Sequence, residues 1–175
     1  SVLKSDIFTK LVQNSSIGDS TFKILSALSE VPKELVPSMY WWATNKLWYL
    51  NTKPAIERIN QRELLEVIMH RVISLEPNYD YGGAYRFFGV FYSRIPGVEL
   101  NQSKTYFEKA ISTNEAYFGN QVQMSEFYYQ KSEDKTSFIE QLEYVNSLDV
   151  SIGSSNIPEN SYYQKRANKL LLQQD

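Results

Sequence analysis

Cysteine is absent from the 175-residue chain, and histidine occurs once. Without a thiol there is no disulfide, no thiolate metal site and no cysteine nucleophile. His70 follows Met69 with neither Cys nor paired acids around it, so it reads as an ordinary surface or core histidine, not as a ligand or base. A basic excess is lacking too: 18 Lys and Arg stand against 20 Asp and Glu, a net charge of -2. That leaves no stripe to neutralise phosphates, and nucleic acid is not expected as a partner. No apolar run approaches the roughly 20 residues of a membrane span, and Ser1-Val2-Leu3-Lys4 carries no signal-peptide pattern. Gly82-Gly83 precedes a helical stretch but has neither a G-x-G-x-x-G pattern nor a P-loop lysine, so its role is to let that helix start close to the preceding turn. No nucleophile or metal-ligand constellation is present, and neither enzyme activity nor a cofactor is expected. Glu57, Glu63, Glu66 and the Glu140/Glu143 pair are spaced as solvated helix faces.

Aromatic residues are abundant, with 13 Tyr, 9 Phe and 3 Trp. Each joins a flat apolar body to little or no polarity, which suits helix interfaces, ligand pockets and partner surfaces alike. The length is that of one ordinary domain, and a composition 42% hydrophobic and 22% charged argues for a folded chain.

Periodicity predicts helix nearly throughout. Ile7 and Leu11, then Phe22, Leu25, Ala27 and Leu28, give two short amino-terminal helices broken at Asn14–Asp19. Pro37 fits the first residue of a helix running from Ser38 to about Leu50, which holds Tyr40, Trp41, Trp42 and Trp48. Leu64, Leu65, Ile68, Met69, Val72 and Ile73 form the stripe of a helix over 61–76, stopped by Pro77. The next helix carries two aromatic stripes: Tyr85, Phe88, Gly89 and Tyr92 on one, Ala84, Phe87 and Phe91 on the other. Further helices are predicted with Ser103, Phe107, Ala110 and Ile111 inward, over 117–129, from a cap at Ser132 to about Leu148, and from Pro158 to about Gln173. No strand-like alternation occurs, so the fold class is all-α, built of antiparallel helix pairs.

An internal repeat refines this. Gly89 and Ser125 are 36 residues apart (125 - 89), as are Phe88 and Met124, Phe91 and Phe127, and Tyr92 and Tyr128. Phe88-Gly89-x-x-Tyr92 followed by Phe107-x-x-Ala110 looks like a tetratricopeptide repeat, in which a small residue lets the paired helix approach. Such hairpins stack into a compact right-handed array with a curved inner wall.

Four stretches together resemble a known family. They are Met39-Tyr40-Trp41-Trp42-Ala43 with Asn45 and Trp48; the run from Glu76 to Gly89, with Tyr81-Gly82-Gly83-Ala84-Tyr85 at its centre; Tyr92-Ser93-Arg94 with Pro96-Gly97; and Asn160 with Arg166-Ala167 and Leu170-Leu171. Their order and spacing are similar to those of the T component of tripartite ATP-independent periplasmic (TRAP) transporter systems. The resemblance covers residues 37–175 of a single domain, 1–175, and leaves 1–36 as amino-terminal helices of an abbreviated first part. It implies a periplasmic lipoprotein of tetratricopeptide-like hairpins that docks with the TRAP solute-binding protein and assembles as a trimer. It also implies a cavity or pore for an apolar small molecule. The chain has no Cys to carry a lipid, so an anchor is expected upstream of Ser1.

Tyr40, Trp41, Asn45, Trp48, Tyr81, Tyr85 and Phe88 are the residues expected to line that cavity, joining apolar walls to a few polar tips. For the Trp cluster, core packing competes with cavity lining. Arg86 and Arg94 have two readings: stacking on rings or pairing with an acid, and contact with a partner protein. The function expected is a non-enzymatic binding component of a TRAP-type transport system. The alternative is a generic tetratricopeptide scaffold binding a peptide or protein on its concave face, whose groove would be lined by Asn, Lys and Arg instead of aromatics.

Overall fold

A computed structural model of the chain describes residues 5–14, 18–152 and 155–173. The expected break between the first two helices falls partly on residues 15–17, outside the described residues. Ten α-helices and no strand are found among the described residues, so the class is all-α as the periodicity predicts, with one helix more than it predicts. They gather into two compact units, one ending at Tyr79 and one beginning at Asp80.

The first unit holds α1 (Asp6–Asn14), α2 (Ser20–Ser29), α3 (Val36–Asn51), α4 (Ala55–Asn60) and α5 (Arg62–Leu75). Asp19 caps α2 by accepting the Phe22 N–H at 2.9 Å, which satisfies one of the amide donors that a helix start leaves unpaired. A single 3-10 turn, Lys33–Leu35, leads into α3 with Pro37 in its first turn, where the missing N–H costs nothing. α2 and α3 both pack on α5. The core between them draws on Leu28, Val36, Met39, Ala43, Leu47 and Leu50 with Leu65, Ile68, Met69 and Val72 of α5, all buried. The Nε of Arg71 donates to the Val31 carbonyl at 2.9 Å and fastens α5 to the α2–α3 connection. The six-residue α4 has too little apolar periodicity to be read from sequence, because its Ile56 and Ile59 are exposed.

In the second unit, α6 (Gly83–Arg94) and α7 (Leu100–Thr113) form an antiparallel hairpin. Gly82 lies against Ala110 and Thr113 near the end of α7, and Gly89 against Phe107 nearer its start. Close approach at Gly89 is visible in two ways. A Cβ there would sit 2.7 Å from the Phe107 ring, and the buried Ser103 hydroxyl donates to the Gly89 carbonyl at 2.7 Å.

The stretch expected as one helix over 117–129 divides. α8 (Phe118–Met124) passes into a π-helical segment, Ser125–Tyr129, where the Gln130 N–H reaches the Ser125 carbonyl five residues back at 3.0 Å. The cap of α9 (Lys135–Ser147) is Asp134, not Ser132: the Asp134 carboxylate accepts the Ser137 N–H at 3.0 Å. Ser132 instead donates its hydroxyl back to the Tyr129 carbonyl, closing the preceding helix. α10 (Ile157–Leu171) ends the fold. Phe118, Val122, Phe138, Leu142, Val145, Ala167 and Leu170 make the core shared by α8, α9 and α10.

Candidate functional site

In the first unit, α3 has two opposed faces. Val36, Met39, Tyr40, Ala43, Leu47 and Leu50 are buried at helical spacing. Trp41, Asn45 and Trp48 fall at i, i+4 and i+7 on the other side, with Tyr49 beside them. Trp41 is 49% exposed, Trp48 44% and Tyr49 51%, and Asn45 is exposed. Three of the four cavity residues expected on α3 therefore share one open face. The Asn45 side-chain amide donates to the Trp41 carbonyl at 2.6 Å, fixing one edge of that face. The ammonium groups of Lys46 and Lys53 lie 5.6 and 4.9 Å from the Tyr49 ring centroid, within cation–π range. Tyr40, the fourth, is inside, with ring contacts edge-on to Trp41 at 5.0 Å and to Tyr79 at 5.2 Å.

The second unit holds Tyr81, Tyr85 and Phe88. Tyr81 and Tyr85 are half-buried. Phe88 has no exposed surface and packs on Tyr92 and Tyr106, with ring centroids 5.3 and 4.8 Å away. Tyr81 stacks on Tyr117 at 4.5 Å, with the rings only 12° from parallel. Tyr117 meets Tyr163 edge-on at 5.7 Å, and the Gln123 amide donates to the Tyr163 hydroxyl at 2.9 Å. Burial pushes the Tyr117 phenol well above its ordinary value, against an opposing pull from Arg86, so the ring stays neutral.

Arg86 explains how Tyr81 is held. Asp80, Tyr81 and Gly82 all have positive φ, at 49°, 59° and 78°, a conformation that costs free energy for the two residues bearing side chains. The Arg86 guanidinium pairs with the Asp80 carboxylate at 2.5 Å and also donates to the Asp80 carbonyl at 3.3 Å. It lies 4.8 Å from the Tyr117 ring centroid. Its other terminal nitrogen donates to Asn120 Oδ1 at 2.8 Å. The Asn120 amide in turn donates to the Ala110 carbonyl at 2.8 Å and the Tyr81 carbonyl at 3.0 Å. Arg86 is thus inside the unit, 6% exposed, stacked on a ring and paired with an acid. Arg94 is exposed at the end of α6, over the Phe127 ring at 5.2 Å.

Sequence reasoning passed over Asn120. Its counterpart is Asn160, which was noticed only as part of a motif. The Asn160 side chain accepts the Phe118 N–H at 3.0 Å and donates to the Ala116 carbonyl at 2.9 Å. Each of these wholly buried amides ties the loop ahead of an earlier helix to the helix that follows. An Asn in the first turns of a helix, where Asn is a poor helix former, was the available signal. Arg166 on α10 grips Glu126 of the π segment, and that hydrogen bond holds the guanidinium's proton more firmly than usual.

No group of His, Asp and Glu able to hold a metal ion occurs among the described residues. No described helix is long and apolar enough to cross a membrane. In comparisons with known proteins, the family model described as TRAP transporter T-component matches residues 7–175. Among curated proteins, no match was found.

Proposed function

Because the chain belongs to the TRAP transporter T-component family, and so is a non-enzymatic component of a TRAP transport system, we propose that it presents the open face of α3 to an apolar small molecule and docks with a solute-binding protein. The observation that carries this reading is the row Trp41, Asn45 and Trp48, with Tyr49 beside it, exposed on a helix whose opposite face is fully packed. Apolar ring surface left facing water is unfavourable, so covering two half-exposed Trp rings with an apolar molecule is stabilising. Such residues are also the side chains that carry most energy at binding sites.

On this reading Tyr81 and Tyr85 give the second unit a polar-tipped aromatic surface of its own, where the Asp80–Arg86–Asn120 network holds Tyr81 in place. Tyr40 and Phe88 act from behind, as packing that fixes their neighbours. Arg94 is the cation offered to the solute-binding protein. The helix pairs follow the tetratricopeptide pattern of a right-handed array, supported by the Gly89–Phe107 approach, and copies assemble as a trimer. The protein works in the periplasm, tethered by a lipid on a segment upstream.

Native mass spectrometry of the folded chain tests the ligand half. Retention of an apolar molecule that is lost in the Trp41→Ala, Trp48→Ala double variant supports it; a chain that carries and takes up no such molecule overturns it.

A further inference from the structure

The outward side of α5 carries a groove that the aromatic reading does not use. Glu63, Val67 and Arg71 fall at i, i+4 and i+8 along one row, and Glu66, His70 and Ser74 along the row beside it. Together with Ser29 of α2 they line a volume of about 410 Å³, inside the range of about 300–1,000 Å³ usual for small-molecule sites.

The two ends of the first row differ in charge. Glu66 is engaged by Arg62, whose Nε lies 2.8 Å from its carboxylate. Glu63 at one end and Arg71 at the other form no ion pair among the described residues. The Arg71 guanidinium spends its Nε on the Val31 carbonyl at 2.9 Å, which fixes its position. Two turns of helix separate these residues, about 12 Å along the axis, with the apolar Val67 midway.

We propose that this groove binds a linear zwitterion, its ammonium end on Glu63, its carboxylate end on Arg71 and its methylene chain over Val67. One exposed charge pair contributes little. Two of opposite sense at a fixed spacing select both the length and the direction of the ligand, and a molecule with a charge at one end alone gains half of this.

Isothermal titration of the full chain with 8-aminooctanoate, whose extended length is close to that spacing, tests the proposal against octanoate and octylamine. Saturable binding at one site per chain, tighter than with either control, is the expected result. Glu63→Gln, at an exposed and unpaired position, weakens 8-aminooctanoate about fivefold, as loss of one exposed pair should, and leaves octanoate unchanged. Val67→Trp fills the groove and removes binding, while an unchanged melting temperature in both variants shows that the fold is kept. No saturable heat at millimolar ligand, equal binding of a singly charged control, or an unchanged affinity in Glu63→Gln would each overturn the assignment.

Discussion

At Gly89 the absence of a side chain is what lets α6 and α7 meet, because the Phe107 ring occupies the space a Cβ would need. Gly89→Val is therefore expected to destabilise the chain by about 2 kcal/mol through overpacking, measured by urea denaturation. Phe107→Leu in the same chain should return part of that loss, since it vacates the colliding atoms. The Asp80–Arg86 pair makes a second residue-level case. Asp80→Asn keeps a residue that tolerates positive φ but leaves a buried guanidinium without its carboxylate, which costs about 2–3 kcal/mol. An effect under about 0.5 kcal/mol, the size of an ordinary surface change, would mean the pair does not hold the turn. Neither arrangement could be read in full from sequence. The small residue at 89 and the bulky one at 107 were legible as a repeat signature. Arg86 was legible only as one of two alternatives, because its partners Asp80 and Asn120 lie 6 and 34 positions away.

Among the elements, helix existence followed the hydrophobic period, while ends and irregularities followed single hydrogen bonds that periodicity does not encode. The start of α9 illustrates this. Ser132 and Asp134 are both capable caps, and the structure uses Asp134 because Glu133 turns through a φ of 58° and aims the chain afresh. The hydrogen bond from Ser137 holds the Asp134 carboxyl below its usual range. A lowered native pKa means that this contribution to stability is present above the unfolded-state pKa of about 3.9 and is lost as pH falls through the lower native value. Asp134→Asn keeps the cap but removes the charge, so its melting temperature should fall less steeply than that of the wild type between pH 5 and pH 3. The π segment after α8 was invisible in sequence, since Ser125–Tyr129 continues a good helical pattern. α3 was legible as an aromatic helix, but which of its rings faced inward was not: Tyr40 and Trp41 are neighbours in sequence, yet Tyr40 is buried and Trp41 half-exposed.

For the whole molecule, the resemblance read from the Trp motif and the Tyr-Gly-Gly-Ala-Tyr run agrees with the family match over residues 7–175. Several residues of those runs prove to have structural work. Asn160 pins a loop, Ala167 and Leu170 are core, and Arg166 holds the π segment. Trp41, Asn45, Trp48 and Tyr49 remain on the open face of α3, all of them exposed. If they form the binding face, replacing both Trp residues changes binding and spares the fold, because neither ring is in the core. The most direct test of the docking half is the affinity of the full chain for a TRAP solute-binding protein, measured by titration for the wild type and for the Arg94→Ala variant, which removes the cation offered to that partner. A stable complex that weakens at least about thirtyfold in the variant, as loss of a contact worth about 2 kcal/mol requires, with an unchanged melting temperature, is the predicted result. Failure of the intact wild-type chain to bind, or equal binding by the variant, would contradict the account.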